Sequence, residues 1–281
     1  MSLGVLLAVL FAAMMHAVYH AIVKTGGDKI AAIGCIATFE VIYGAIGSMI
    51  FAPPPLAAWG WLLGAVALQT VYRFFTCYAY RLGDLSQVMP LARGTAPLLV
   101  TAGSAIWLHE TLTIGQFFAI FLITAGIMTL ALSRNSRGRI DLAAGGVAIA
   151  SGVAVAAYSI FDGVGSRITG NSGSYVWWLT LTGGFAFLIP ALILRPRAIA
   201  ETFRTRWYSG PLGAAFSAAT YWIVIWAMTW APIGMVSALR ETTVIFAVII
   251  GIVVLKERPG PVRLTAVTVT ALSIALLKLA A

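Results

Sequence analysis

The sequence predicts an all-α membrane protein of about ten transmembrane helices, arranged as two inverted five-helix repeats around a central cavity. Three observations lead there. Of the 281 residues, 60% are apolar and 10% charged, whereas a soluble domain carries roughly 25% charged residues. The apolar residues come in runs of about 20, the length that crosses a hydrocarbon layer about 30 Å thick. The pattern of the first half of the chain returns in the second.

Taken in order, the apolar runs place spans near 3–23, 31–51, 60–80, 87–108, 113–132, 142–164, 174–194, 211–230, 234–255 and 262–279. The stretch from Met1 to Phe11 lacks a basic n-region and a small-residue cleavage site, so it reads as a retained first helix. Breaks such as Pro53-Pro54-Pro55, Asn135-Ser136-Arg137-Gly138 and Arg258-Pro259-Gly260-Pro261 are loop punctuation. No gap is long enough for a folded extramembrane domain. Cys35 and Cys77 lie inside apolar runs and read as small packing residues, neither a disulfide framework nor a metal site.

A formal charge of +9 would suit nucleic acid, but the cations sit in the short gaps between apolar runs, where they encode topology. The gaps after the odd-numbered spans hold Lys24, Lys29, Arg81, Arg134, Arg137, Arg139, Arg195, Arg197, Arg204, Arg206, Lys256, Arg258 and Arg263. Arg167 and Lys278 fall on the other side. The positive-inside rule then puts both termini away from the cytoplasm, in a multi-pass protein of the cell inner membrane.

The repeat fixes the architecture. A shift of 147 lays residues 71–132 on 218–279 and matches Arg93 with Arg240, Thr95 with Thr242, Glu110 with Glu257 and Leu130 with Leu277. A shift of 142 matches Gly4 with Gly146, Tyr19 with Phe161 and His20 with Asp162. The halves, 1–135 and 142–281, thus have five helices each, and an odd number turns the second copy upside down. Secondary transporters use that geometry to open one site alternately to either face; a duplication that merely enlarged a bundle is the plainer alternative.

These residues resemble the drug/metabolite transporter superfamily, in particular its EamA-type ten-helix branch. The resemblance rests on Leu91-Ala92-Arg93-Gly94-Thr95-Ala96-Pro97-Leu98, on Leu108-His109-Glu110-Thr111-Leu112-Thr113-Ile114-Gly115-Gln116 and on Ala125-Gly126-Ile127-Met128. Its second copy reads Leu239-Arg240-Glu241-Thr242-Thr243, then Leu255-Lys256-Glu257-Arg258, with Val244 in place of Pro97 and Ser273 in place of Gly126. It implies ten helices around a central cavity and alternating access, for substrates that range over amino acids, amines, nucleotide sugars and drugs.

Polar groups at bilayer depth are costly and invite a functional reading. Gln69, Tyr72, Arg73, Thr76 and Tyr80 recur at three- and four-residue steps and share one face of the third span. Glu40 is a lone acid in the second span, suited either to pairing with Arg73 or to taking up a proton. His16 and His20 stand one turn apart with Tyr19 between them, and the sixth span presents Tyr158, Phe161 and Asp162 at the repeat-equivalent places; cavity lining, proton exchange and packing are all open to the histidines, and metal binding lacks ligands. Arg93 and Arg240 near helix starts are suited to a carboxylate or phosphate, or to reaching the interface. Tyr221 and Trp222 add an aromatic face, with Tyr43, Tyr78 and Trp226, whereas Trp59, Trp61, Trp177, Trp178 and Trp207 read as interfacial anchors. The substrate-binding set is therefore Tyr19, His20, Glu40, Tyr72, Arg73, Arg93, Tyr158, Asp162, Tyr221, Trp222 and Arg240. Acids and arginines nearly balance in it, which leans toward a zwitterionic or amphipathic metabolite such as an amino acid or amine derivative.

A membrane enzyme acting on lipid-linked substrates would show loop Asp or His constellations, and the loops offer only isolated acids such as Asp28, Asp84 and Asp141. A scaffold or receptor explains the duplication but not the polar face of the third span. No phosphate-binding G-x-x-x-x-G-K-[ST] loop is present, which disfavours direct ATP drive. The partners expected are a small-molecule substrate, the bilayer and a proton or other coupling ion, with a homodimer compatible; no cofactor is called for.

Overall fold

A backbone in hydrocarbon must satisfy its own N–H and C=O groups, and a helix does so within one segment. The computed structural model is helical accordingly, in the order α1 (Leu3–Thr25), α2 (Lys29–Ile50), α3 (Leu56–Leu82), α4 (Leu85–Trp107), α5 (Ile114–Ala131), α6 (Leu142–Thr169), α7 (Ser172–Leu194), α8 (Pro196–Arg206), α9 (Ser209–Trp230), α10 (Ile233–Arg240), α11 (Thr243–Val253) and α12 (Pro261–Leu279). The described residues are 1–82, 85–131, 142–253 and 260–279, with the side chains of 79–82, 85–92, 130–131, 142–144, 251 and 263 left aside. The 134–139 loop, Lys256, Glu257 and Arg258 fall outside them. Six stretches among them are long and apolar enough to cross a membrane: Leu3–Thr25, Lys29–Ile50, Gly145–Thr169, Ser172–Leu194, Ser209–Trp230 and Ile233–Ile250.

Helices stand where the apolar runs stand, with two departures. The gap after the seventh run forms α8, begun by Pro196 at the first helical position, where the missing N–H is no loss. The ninth run is broken between α10 and α11. At the break the hydroxyls of Thr242 and Thr243 donate to the carbonyls of Leu239 and Arg240, each at 2.6 Å, so the interruption leaves those acceptors satisfied.

α2 packs on α7, α5 on α12, α3 on α6, α1 on α9, α4 on α6 and α1 on α11. Exchanging α1 with α6, α2 with α7, α3 with α9, α4 with α10 and α11, and α5 with α12 carries α3–α6 onto α1–α9 and α4–α6 onto α1–α11, and returns α2–α7 and α5–α12 onto themselves. The α2–α7 contact requires glycine: a Cβ at Gly44 would lie 2.5 Å from the backbone nitrogen of Leu181, and one at Gly47 would enter the Trp177 ring. Small residues at this crossing bring two backbones together, as membrane bundles use them to do.

The ends of the bundle are dissimilar. One gathers the C-terminus of α1 with the N-termini of α2 and α9 and with α8. There Asp28 caps α2 through Ile30 and Ala31 N–H, Lys29 Nζ donates to the carbonyls of Lys24 at 2.8 Å and Gly26 at 2.5 Å, Arg195 pairs with Asp28 at 3.1 Å and Arg206 donates to the Thr25 carbonyl. The opposite end holds Arg167 and Lys278. Beneath it lies the larger apolar core, with Val5, Leu6, Val9, Leu62, Val66, Ile225, Met228 and Ile233 buried.

Candidate functional site

A cavity with many polar residues in its wall occupies the half of the bundle nearer the charge-rich end. α1 contributes His16, Tyr19, His20 and Val23; α3 contributes Gln69, Tyr72, Arg73 and Thr76; α9 contributes Ser217, Thr220, Tyr221 and Val224; Tyr158 of α6, Ile33 of α2 and Arg240 of α10 complete the wall. The residues on α1, α3 and α9 recur at three- and four-residue steps, so helical geometry alone turns each set to one side.

Three networks hold the wall. Arg73 grips Glu40 with two prongs, Nη1 to Oε2 at 2.7 Å and Nη2 to Oε1 at 3.0 Å, and Ser217 Oγ donates to Glu40 Oε1 at 2.9 Å. α2, α3 and α9 thereby meet on one acid, which is 2% exposed. Tyr221 Oη donates to Asp162 Oδ2 at 2.6 Å, Gln69 Nε2 to the same oxygen at 3.2 Å, and Tyr175 Oη to Oδ1 at 3.1 Å. In the third, Arg93 Nη1 donates to Glu241 Oε2 at 2.9 Å and its Nη2 to His20 Nε2 at 2.5 Å, while His16 Nε2 stands 3.0 Å from His20 Nε2. Arg240 Nη2 donates to Tyr158 Oη at 3.1 Å and to Glu241 Oε1 at 3.4 Å.

Of the residues singled out in the sequence, Tyr19, His20, Tyr72, Arg73, Tyr158, Tyr221 and Arg240 line the cavity. Glu40, Arg93 and Asp162 stand one layer back, each reaching it through a partner. Trp222 is placed elsewhere: its ring packs edge-on against Phe51 and Trp177, with centroids 5.5 and 5.4 Å away. One residue along from Tyr221 turns a side chain about 100° round the helix, which is the physical reason the neighbours part. Ser217 and Tyr175 were passed over in the sequence; Ser217 lies four residues before Tyr221, a spacing that places both on one face, while nothing local marks Tyr175.

At the far end a single ion pair ties four elements. Arg167 Nη2 meets Glu110 Oε1 at 2.6 Å, its Nε donates to the Met228 carbonyl at 3.0 Å, and Nη2 reaches the Ala231 carbonyl at 3.3 Å. Glu110 Oε2 accepts from the Ile233 N–H at 2.9 Å. His109 has φ 52°, in the left-handed region that non-glycine residues rarely enter, and this turn folds Glu110 back over the end of α4, its N–H bonding the Ser104 carbonyl at 3.2 Å. The α6, α9, α10 and α4 termini are thus clasped above the apolar core.

Apolar helices of membrane-crossing length define a polytopic membrane protein, here with a cavity inside its bundle. The EamA-like transporter family model matches residues 2–132 and again 144–279, so the chain belongs to that family, within the drug/metabolite transporter superfamily. Among 29 matching chains of solved structures, one, described only as "Crystal structure of protein", shares 15% identity at a TM-score of 0.72 over 98% of this chain and 95% of its own; at that identity the likeness shows the fold alone. No curated protein matches.

Proposed function

We propose that the protein is a secondary active transporter, a permease that carries a small polar or amphipathic metabolite, an amino acid or amine derivative in kind, across the inner membrane by alternating access and without altering it chemically. The observation that carries this reading is the contrast along the bundle: a cavity walled by His, Tyr, Gln and Arg side chains in one half, and a filled apolar core under the Arg167–Glu110 clasp in the other. The two family matches and the exchange of helix pairings support two inverted copies, 1–135 and 142–281, that rock about the site. With the charge-rich end in the cytoplasm, the cavity lies in the cytoplasmic half of the bundle. The His16–His20 pair, two imidazole nitrogens 3.0 Å apart, offers a place for a coupling proton.

The test is uptake into liposomes that contain the purified protein. Arg73→Lys keeps the charge and loses the two-pronged grip on Glu40, since the two side chains are not interchangeable at such a site; transport falls roughly tenfold or more. An Arg73→Lys protein that inserts, folds and transports at the native rate removes α3 from the path.

A further inference from the structure

The charges in and behind the cavity wall are matched, with Glu40, Asp162 and Glu241 against Arg73, Arg93 and Arg240. Glu40 takes both Nη atoms of Arg73, and Glu241 meets Arg93 at 2.9 Å and Arg240 at 3.4 Å. Tyr175, Tyr221 and Gln69 all donate to Asp162, an arrangement that suits the ionised, accepting form of a carboxyl group. His20 adds no charge, because the Nε2 that accepts from Arg93 is unprotonated. A ligand that brought a net charge here would find no unmatched counter-charge among the described residues, and an unmatched charge in a buried site is costly.

What the wall leaves open is neutral. Gln69 uses both protons of its carboxamide, Nε2 donating to Asp162 Oδ2 at 3.2 Å and to Tyr221 Oη at 2.8 Å. A carboxylate only accepts, so the amide nitrogen is held on that side and the oxygen is the free end. Gln69 Oε1 accepts from nothing among the described residues and keeps open surface, on a residue that lines the cavity. The Tyr19 and Tyr72 hydroxyls of the same wall also keep surface and bond to nothing among the described residues.

We infer that the cavity takes a ligand of zero net charge, uncharged or zwitterionic, and that Gln69 Oε1 is the fixed acceptor for one of its N–H groups. The inference rests on the transporter reading, which supplies the amino-acid or amine chemistry, and narrows that class by charge. Asp162 and Tyr221 hold the amide before the ligand arrives, so binding carries little cost for ordering it. An amine cation meets only the neutral oxygen of Gln69, since the acids are turned onto their own donors. A lone carboxylate sets acceptor against acceptor there and adds a charge that no free cation cancels.

Melting of the purified full-length chain tests this with the amino acids of uncharged side chain, each offered as the zwitterion, the amide (a cation), the N-acetyl derivative (an anion) and the N-acetyl amide (uncharged), because a ligand of the native state raises apparent stability. A net-neutral form raises the melting temperature, and the cation and anion of the same side chain bind roughly tenfold or more weakly. Gln69→Met, of similar length and without the acceptor, weakens that response roughly tenfold or more. Asp162→Asn serves if Gln69→Met does not fold: it keeps the shape, leaves one positive charge unmatched and moves the preference toward the N-acetyl anion. A cation or anion preferred by the native chain, no response to any net-neutral form, a native response in Gln69→Met or an unshifted preference in Asp162→Asn overturns the inference. Flux of the same compounds into liposomes separates it from the transporter reading. Net-neutral binding without flux keeps the seat and sinks transport; flux of a cation or anion in preference to both neutral forms does the reverse.

Discussion

The two ion pairs that Arg73 and Arg167 make are alike in closest approach, 2.7 and 2.6 Å, and unlike in setting. Arg73–Glu40 lies in the cavity half, with side chains 18% and 3% exposed, and joins three helices through one acid. Arg167–Glu110 lies at the far end, with side chains 36% and 11% exposed, and joins four elements, mostly through backbone carbonyls and an N–H. A buried pair is hard to break because either partner alone is an uncompensated charge. A half-solvated pair is worth little in stability and yields readily. The difference teaches that the pair in the cavity wall is the costlier of the two to break and the far clasp the cheaper.

That comparison is most directly broken at Glu40. Glu40→Ala leaves Arg73 and Ser217 without their acceptor and should cost about 3 kcal/mol, the lower part of the range for splitting a buried pair, since Arg73 also touches the cavity. Melting of the detergent-solubilised variant measures it, and a loss under about 1 kcal/mol would mean that the wall is as yielding as the clasp. A smaller stability effect, about 1 kcal/mol after solvent screening, is expected from Glu110→Gln. Its sharper readout is access: a cysteine at Met228, 1% exposed in the native chain, should react faster with a membrane-impermeant thiol reagent once the clasp is weakened, and equal rates would show that the clasp closes nothing. The smallest effect belongs to His109→Gly. Glycine accepts the left-handed backbone at no steric penalty, so stability should rise by no more than about 1 kcal/mol; a fall would mean that the His109 side chain, not its φ, holds the turn.

Much of the helix pattern was legible because apolar length is the strongest signal lipid imposes. α8 was not, since eleven residues with four nearby arginines read as a loop until Ile199 is seen buried beside Gly34 and Ala191. The break after Arg240 was not, because the apolar run continues across it. In the site, Arg73 and Glu40 were readable as a pair because each was a lone charge on its span. Arg167 and Glu110 were read only as a topology charge and a motif residue, 57 positions apart, and no local pattern announces a contact of that separation. Tyr221 and Trp222 are the instructive neighbours: periodicity taken from Ser217 separates them, whereas aromatic content alone does not.

The interruption between α10 and α11 also bears on how the molecule comes together. A lone apolar segment entering lipid has every reason to run as one unbroken helix, since no neighbour is there to satisfy freed backbone groups. All eight residues of α10 are buried, against α4, α1, α5, α9 and α6, and only in that company does a bend at Glu241 and Thr242 lose nothing. The bend is thus favoured by its packed surroundings, and Arg240 stands at its edge. The part of the cavity wall that Arg240 supplies therefore depends on the packing around α10.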